Sequence, residues 1–145
     1  MTTRTQVDAV EVARHLRPVL LRLSRELRRE TRAFGVTAGQ ATLLAQIEKH
    51  GTIGLGELAA GEGVSAAAMS KHVDRLEAAG LVTRSPGGDR RRVEIELSAA
   101  GKRVIRRVRS HRTAWLAERL GRLDEDELAV VERAIGPLAE MLEGE

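Results

Sequence analysis

The chain contains no cysteine. Disulfides, thiolate nucleophiles, cysteine-based redox sensing and cysteine-ligated zinc are therefore excluded. Aromatic residues are almost missing: Phe34 and Trp115 are the only two in 145 residues. Proteins that grip single-stranded nucleic acid usually stack bases on aromatic platforms, so that class is disfavoured. No apolar run approaches the length of a membrane span and no signal-peptide pattern opens the chain, so a cytoplasmic protein is expected. The sequence also lacks the G-x-S-x-G elbow, the P-loop and the dinucleotide fingerprint. GTIGLGELAAG is glycine-rich but has no Lys-Ser/Thr phosphate clamp. The four histidines, His15, His50, His72 and His111, form no HxxxH or HxH pair. An enzyme is not expected, nor a cofactor.

Net charge is only +3, but its distribution is uneven. Residues 65–112 hold twelve Lys/Arg against five Asp/Glu, whereas residues 113–145 hold three against nine. A basic segment followed by an acidic one fits a nucleic-acid face backed by a separate body. The length suits one domain, or one domain with helical extensions, and is enough to bury a core.

Apolar residues recur at helical spacing through residues 7–33: Val12, Leu16, Val19, Leu20, Leu23 and Leu27. Pro18 falls inside this pattern and should kink the helix or start a second segment. The other face is rich in arginine: Arg14, Arg22, Arg25, Arg28, Arg29 and Arg32. Gly35 should end this helix. Thr37 and Gln40 form a capping box for a second, which carries Leu43, Leu44 and Ile47. An extended stretch near Ile53 precedes a short helix over about Leu55–Ala60. Glu62-Gly63-Val64 turns the chain, and Ser65 caps the next helix. Two strands follow, Leu81–Ser85 and Arg92–Ser98, with Val93, Ile95 and Leu97 alternating against Glu94 and Glu96.

Ser98 caps a further helix bearing Val104, Ile105, Val108, Trp115, Leu116 and Leu120. A last helix follows Asp124, with Leu128, Val131, Ile135, Leu138 and Leu142 in a coiled-coil-like stripe that Gly136-Pro137 should bend. The fold class expected is mainly α with a small β-hairpin. A winged helix-turn-helix module over 36–98 is flanked by an N-terminal helix over 1–35 and by C-terminal helices over 99–145. The terminal stripes exceed what the small central module can cover, which points to a two-fold homodimer.

On a helical wheel Met69, Val73 and Leu76 share one face, with Val64 and Leu81 at its ends; these are core positions. Ala67, Ser70, Lys71, Asp74 and Arg75 point away from it. A helix-turn-helix followed by a basic-tipped hairpin suits duplex DNA, the second helix entering the major groove. Ser65, at the helix N-terminus, can hold a phosphate. Ala66, Ala67 and Ala68 give a close-approach surface that can touch thymine methyls. Ser70 and Lys71 are placed to reach base edges, and Arg75 to meet phosphate. At the hairpin tip, Gly87-Gly88-Asp89-Arg90-Arg91-Arg92 combines a tight reversal with three arginines in a row. Such a tip fits a minor groove, where negative potential concentrates.

The phrases GELAAGEGVSAAAMSKHVDRLEAAGLV and DRRRVEIELSAAG, with flanking helices of matching length, resemble the MarR family of bacterial winged-helix transcription regulators. The resemblance covers essentially the whole chain. It implies a homodimer held by the first helix and the last two, binding to palindromic operators as a repressor, and release by a small phenolic or anionic ligand. It makes Ser65–Arg75 the recognition helix. It makes Asp89 and Arg91 an aspartate–arginine pair within the wing, leaving Arg90 to probe the minor groove beside Arg92. Alanines stand at 66–68 where the family carries longer side chains, so direct base readout is thin and DNA shape counts for more. Arg14, His15, Arg22 and His111 are candidate anchors for an effector. Two other readings stay open at the level of sequence: a winged helix used for protein contact, and metal-responsive regulation through His15, His111 and nearby carboxylates.

Overall fold

The computed structural model describes residues 6–87 and 92–144. In chain order the elements are α1 (Ala9–Arg29), α2 (Ala38–His50), β1 (Thr52–Gly54), α3 (Leu55–Glu62), α4 (Ala66–Ala78), β2 (Val82–Pro86), β3 (Val93–Leu97), α5 (Ala99–Leu120) and α6 (Glu125–Glu140). One 3₁₀ turn, Arg32–Phe34, lies between α1 and α2. The chain forms two compact units, one running to Arg109 and one starting at Ser110 within α5.

The first unit is built on a three-stranded antiparallel sheet of order β1-β3-β2. The extended stretch near Ile53 is thus a third strand, with Ile53 opposite Ile95. The other two strands lie within one residue of the expected ones, and Val82 faces Leu97 across the ladder. Leu44 and Ile47 of α2, Met69, Val73 and Leu76 of α4, and Ile95 of β3 are all essentially inaccessible to water. Each such side chain contributes about 1.5–3 kcal/mol relative to exposure. Ile105 and Val108 bring the start of α5 into the same core.

Local chemistry sets the element ends. Thr37 Oγ1 accepts from the Gln40 amide at 3.1 Å, and Gln40 Oε1 accepts from the Thr37 amide at 2.9 Å, completing the capping box of α2. α4 closes with Gly80 at φ 74. The Leu81 amide then donates to Leu76 O, and the Gly80 amide to Glu77 O, both at 2.9 Å. Leu81 and Leu76 are both buried, the apolar contact that accompanies this helix stop. Ser98 ties α5 to that same corner: its hydroxyl donates to Gly80 O at 2.6 Å and accepts from the Gly101 amide at 3.0 Å. A β-carbon on Gly101 would sit 2.0 Å from Leu81 O, so only glycine fits there.

Three expectations change. Val64 is 38% exposed and Val93 43% exposed, not core. Val64 follows the left-handed Gly63 at the turn and stands in the wall of an open cleft beside α4. Val93 pairs with Pro86 at the outer end of the β2–β3 ladder and lines an open cleft with Leu55 and Ala60 of α3. The first helix stops at Arg29, and the 3₁₀ turn carries the chain to Gly35. α1 runs through Pro18 and α6 through Pro137, each as one helical segment. Both prolines are exposed, so the carbonyl each leaves without an amide partner faces water.

α1 and α6 bury no residue within the single chain. Val12, Val19, Leu20 and Leu23 of α1 are exposed, as are Leu128, Val131 and Ile135 of α6. In the second unit α6 starts with a complete capping box between Asp124 and Glu127. The Arg119 guanidinium stacks 3.6 Å from the Trp115 ring.

Candidate nucleic-acid interface

α3, the turn at Gly63–Ser65 and α4 form the helix-turn-helix. Gly63 takes φ 66, and the Val64 amide returns to Ala59 O at 3.1 Å, which ends α3. Ser65 then caps α4 by accepting the Ala68 amide at 3.1 Å on its hydroxyl. A serine cap contributes about 0.5–2 kcal/mol and fixes where the helix begins. The burial of Met69, Val73 and Leu76 sets the rotation of α4 about its axis. The opposite face is therefore held out to solvent. Ser65, Ala66, Ala67, Lys71 and Arg75 are exposed on it, whereas Ala68 and Ser70 are half-buried.

Asp74 is committed elsewhere. Its carboxylate meets Arg84 Nη2 of β2 at 2.8 Å. The same nitrogen donates to the Ser70 carbonyl at 3.1 Å. Among the described residues Arg84 Nε is buried with no hydrogen-bond partner. Asp74 is more than half exposed, so water screens the attraction and the pair contributes little to stability. Its value is geometric: one guanidinium joins α4 to the strand leading to the wing. Sequence reading placed Asp74 among the outward residues and gave Arg84 no role. The ten-residue separation follows no local rule, and only the strand pairing brings them together.

The wing closes where its described residues end, with the Gly87 amide donating to Arg92 O at 2.8 Å. Arg92 is exposed. Asp89, Arg90 and Arg91 lie outside the described residues.

Beside α4 runs a cleft of about 430 Å³. Thr37 and Gln40 of α2, Glu62 of α3, and His72 and Arg75 of α4 supply its polar groups; Leu43, Val64 and Met69 supply apolar wall. None of the proposed effector anchors lines it. Arg14, His15 and Arg22 are exposed on α1. Arg14 and Arg22 are eight residues apart, about 12 Å along a helix axis. His111 is half-buried and belongs to the second unit. Among the described residues no three His, Asp or Glu side chains gather as a metal site would require, and no helix is long and apolar enough to cross a membrane.

Comparison with known proteins converges on one group. The sequence model of the MarR family matches residues 36–93. An HTH-type transcriptional regulator of Mycobacterium tuberculosis is 32% identical over 85% of this chain and 87% of its own. The HTH-type transcriptional repressor MdtR of Bacillus subtilis is 32% identical over 75% of this chain and 71% of its own. In three dimensions, a MarR family protein from Bacillus stearothermophilus superposes with a TM-score of 0.81 at 28% identity, covering 99% of both chains.

Proposed function

The chain belongs to the MarR family of DNA-binding transcription regulators, and on that premise we propose that it acts as a homodimeric repressor at palindromic operators. The observation that carries this reading is the fixed outward face of α4. Met69, Val73 and Leu76 anchor the helix from behind, Arg84 ties it to β2, and Lys71 and Arg75 stand free in solvent.

In this reading α4 lies in the major groove. Ser65 and Arg75 hold phosphates on either side, and Lys71 and the Ser70 hydroxyl reach base edges. Ala66 and Ala67 let the backbone approach closely and touch thymine methyls. The wing follows the adjacent minor groove: Asp89 aims Arg91, Arg90 enters the groove, and Arg92 adds charge at its base. The exposed apolar stripes of α1 and α6 pack against a second copy, which spaces two α4 helices for the two half-sites. The site of action is the cytoplasm. Release by a small anionic effector, held through groups such as Arg14, His15, Arg22 and His111, completes the cycle.

The test is a titration of the purified chain against duplex DNA from upstream of its own gene, with a scrambled duplex as control, at several salt concentrations. Preferential binding with a steep salt slope is expected. Equal, weak binding to both duplexes would contradict the reading. Adding candidate phenolic acids to the complex then tests for release.

A further inference from the structure

A second basic surface lies next to the helix-turn-helix, and the reading above leaves it unused. Arg28, Arg29 and Arg32 line one groove of about 470 Å³ together with Thr37 and Gln40 at the start of α2. No carboxylate lines it. Arg29 reaches Glu26 at 3.4 Å, but both partners are open to solvent (62% and 35%), so the pair neutralises little. Three guanidiniums turned into one groove repel one another unless an anion lies among them. Thr37 and Gln40 also line the cleft that holds His72 and Arg75. The two depressions share a wall at Thr37 and Gln40, so the arginine groove at the end of α1 adjoins the cleft beside α4, which holds Arg75 and also Glu62.

We propose that Arg28, Arg29 and Arg32 grip the sugar–phosphate backbone of duplex DNA outside the base pairs read by α4. This rests on the reading that α4 enters the major groove, and it extends the footprint outward. Continuity with Arg75 selects DNA as the occupant: a backbone passing α4 meets the groove next. Guanidinium forks match phosphate oxygens and bind them in pairs. A second copy of the chain suits this surface poorly, because a two-fold contact would bring like charges together. Backbone contacts carry affinity and salt dependence but no sequence information.

The experiment uses the full chain and a duplex that it selects from a random-sequence pool. Two lengths are compared, the selected core and the core extended by about one helical turn on each side. The variants are Arg28→Gln/Arg29→Gln/Arg32→Gln and, as a charge-retaining control that also covers a folding defect, Arg28→Lys/Arg29→Lys/Arg32→Lys. The wild type should bind the long duplex more tightly than the short one. The glutamine variant should lose that gain, and its plot of log affinity against log salt should be shallower by about 5, from three arginines on each of two protomers. Its ranking of single-base operator variants should not change. The lysine variant should keep most of the slope. An unchanged slope with no length effect would overturn the proposal while leaving the α4 reading intact. So would loss of binding that tracks loss of the dimer in sedimentation, since the surface would then be a contact between copies. A wild type that selects no sequence would sink the α4 reading, and this extension with it.

Discussion

The segment from α2 to β3 and the terminal helices α1 and α6 carry apolar side chains in similar abundance, with opposite outcomes. In the first, Leu44, Ile47, Met69, Val73, Leu76 and Ile95 vanish from solvent within one chain. In the second, stripes at the same helical spacing bury nothing. One region folds against itself, and the other leaves its apolar stripes exposed within the single chain. Periodicity announces that a face is apolar but not which neighbour covers it. In the compact region short elements return on each other through the sheet and the corner at Gly80. The terminal stripes outrun the core available in one chain.

Matched substitutions should separate the two regions. Leu76→Ala is expected to cost about 2–5 kcal/mol in denaturant unfolding, since it opens a cavity in a closed core. Ile135→Ala should change unfolding at low protein concentration by less than about 0.5 kcal/mol, yet raise the dimer dissociation constant measured by sedimentation. Equal effects on unfolding would erase the distinction. Gly101→Ala should cost about 3 kcal/mol, because the added carbon meets a backbone oxygen that cannot swing aside. A melting temperature like that of the wild type would show that α5 and the Leu81 corner are less tightly joined than described.

Lys71→Ala should leave folding untouched and relax preference at one or two operator positions by about 1–3 kcal/mol. A uniform loss across all sequences would make Lys71 a phosphate contact instead. Arg84→Ala should have a small effect on stability, under about 1 kcal/mol, because Asp74 is largely solvated. Operator binding should still weaken, with an unchanged salt slope, since Arg84 positions α4 without touching DNA. A fall in the slope would instead place Arg84 on a phosphate.

Much of the compact region could be read from the chain because its signals are local. The Thr37/Gln40 box, the Ser65 cap and the Met69–Val73–Leu76 face each lie within a few turns of sequence, and each stands where expected. Failures came where a neighbour distant in sequence decides. Val64 and Val93 obey their periodic pattern but line open clefts instead of the closed core. Arg84 finds Asp74 only through the β2 packing against α4, and the cleft beside His72 needs α2, α3 and α4 together.

The division of labour between the two regions can be tested directly, because the chain offers no native cysteine to compete with an introduced label. Ala78→Cys places a label on the exposed end of α4, and Arg133→Cys places one on α6, on the side away from its apolar stripe. Each would carry an iron-chelate that cleaves nearby DNA, and each labelled chain would be bound to the selected operator. The account predicts two cleavage clusters from the α4 label, related by the operator's two-fold axis and centred in successive major grooves, with none from the α6 label. Cleavage from position 133, or scattered cleavage from position 78, would contradict it.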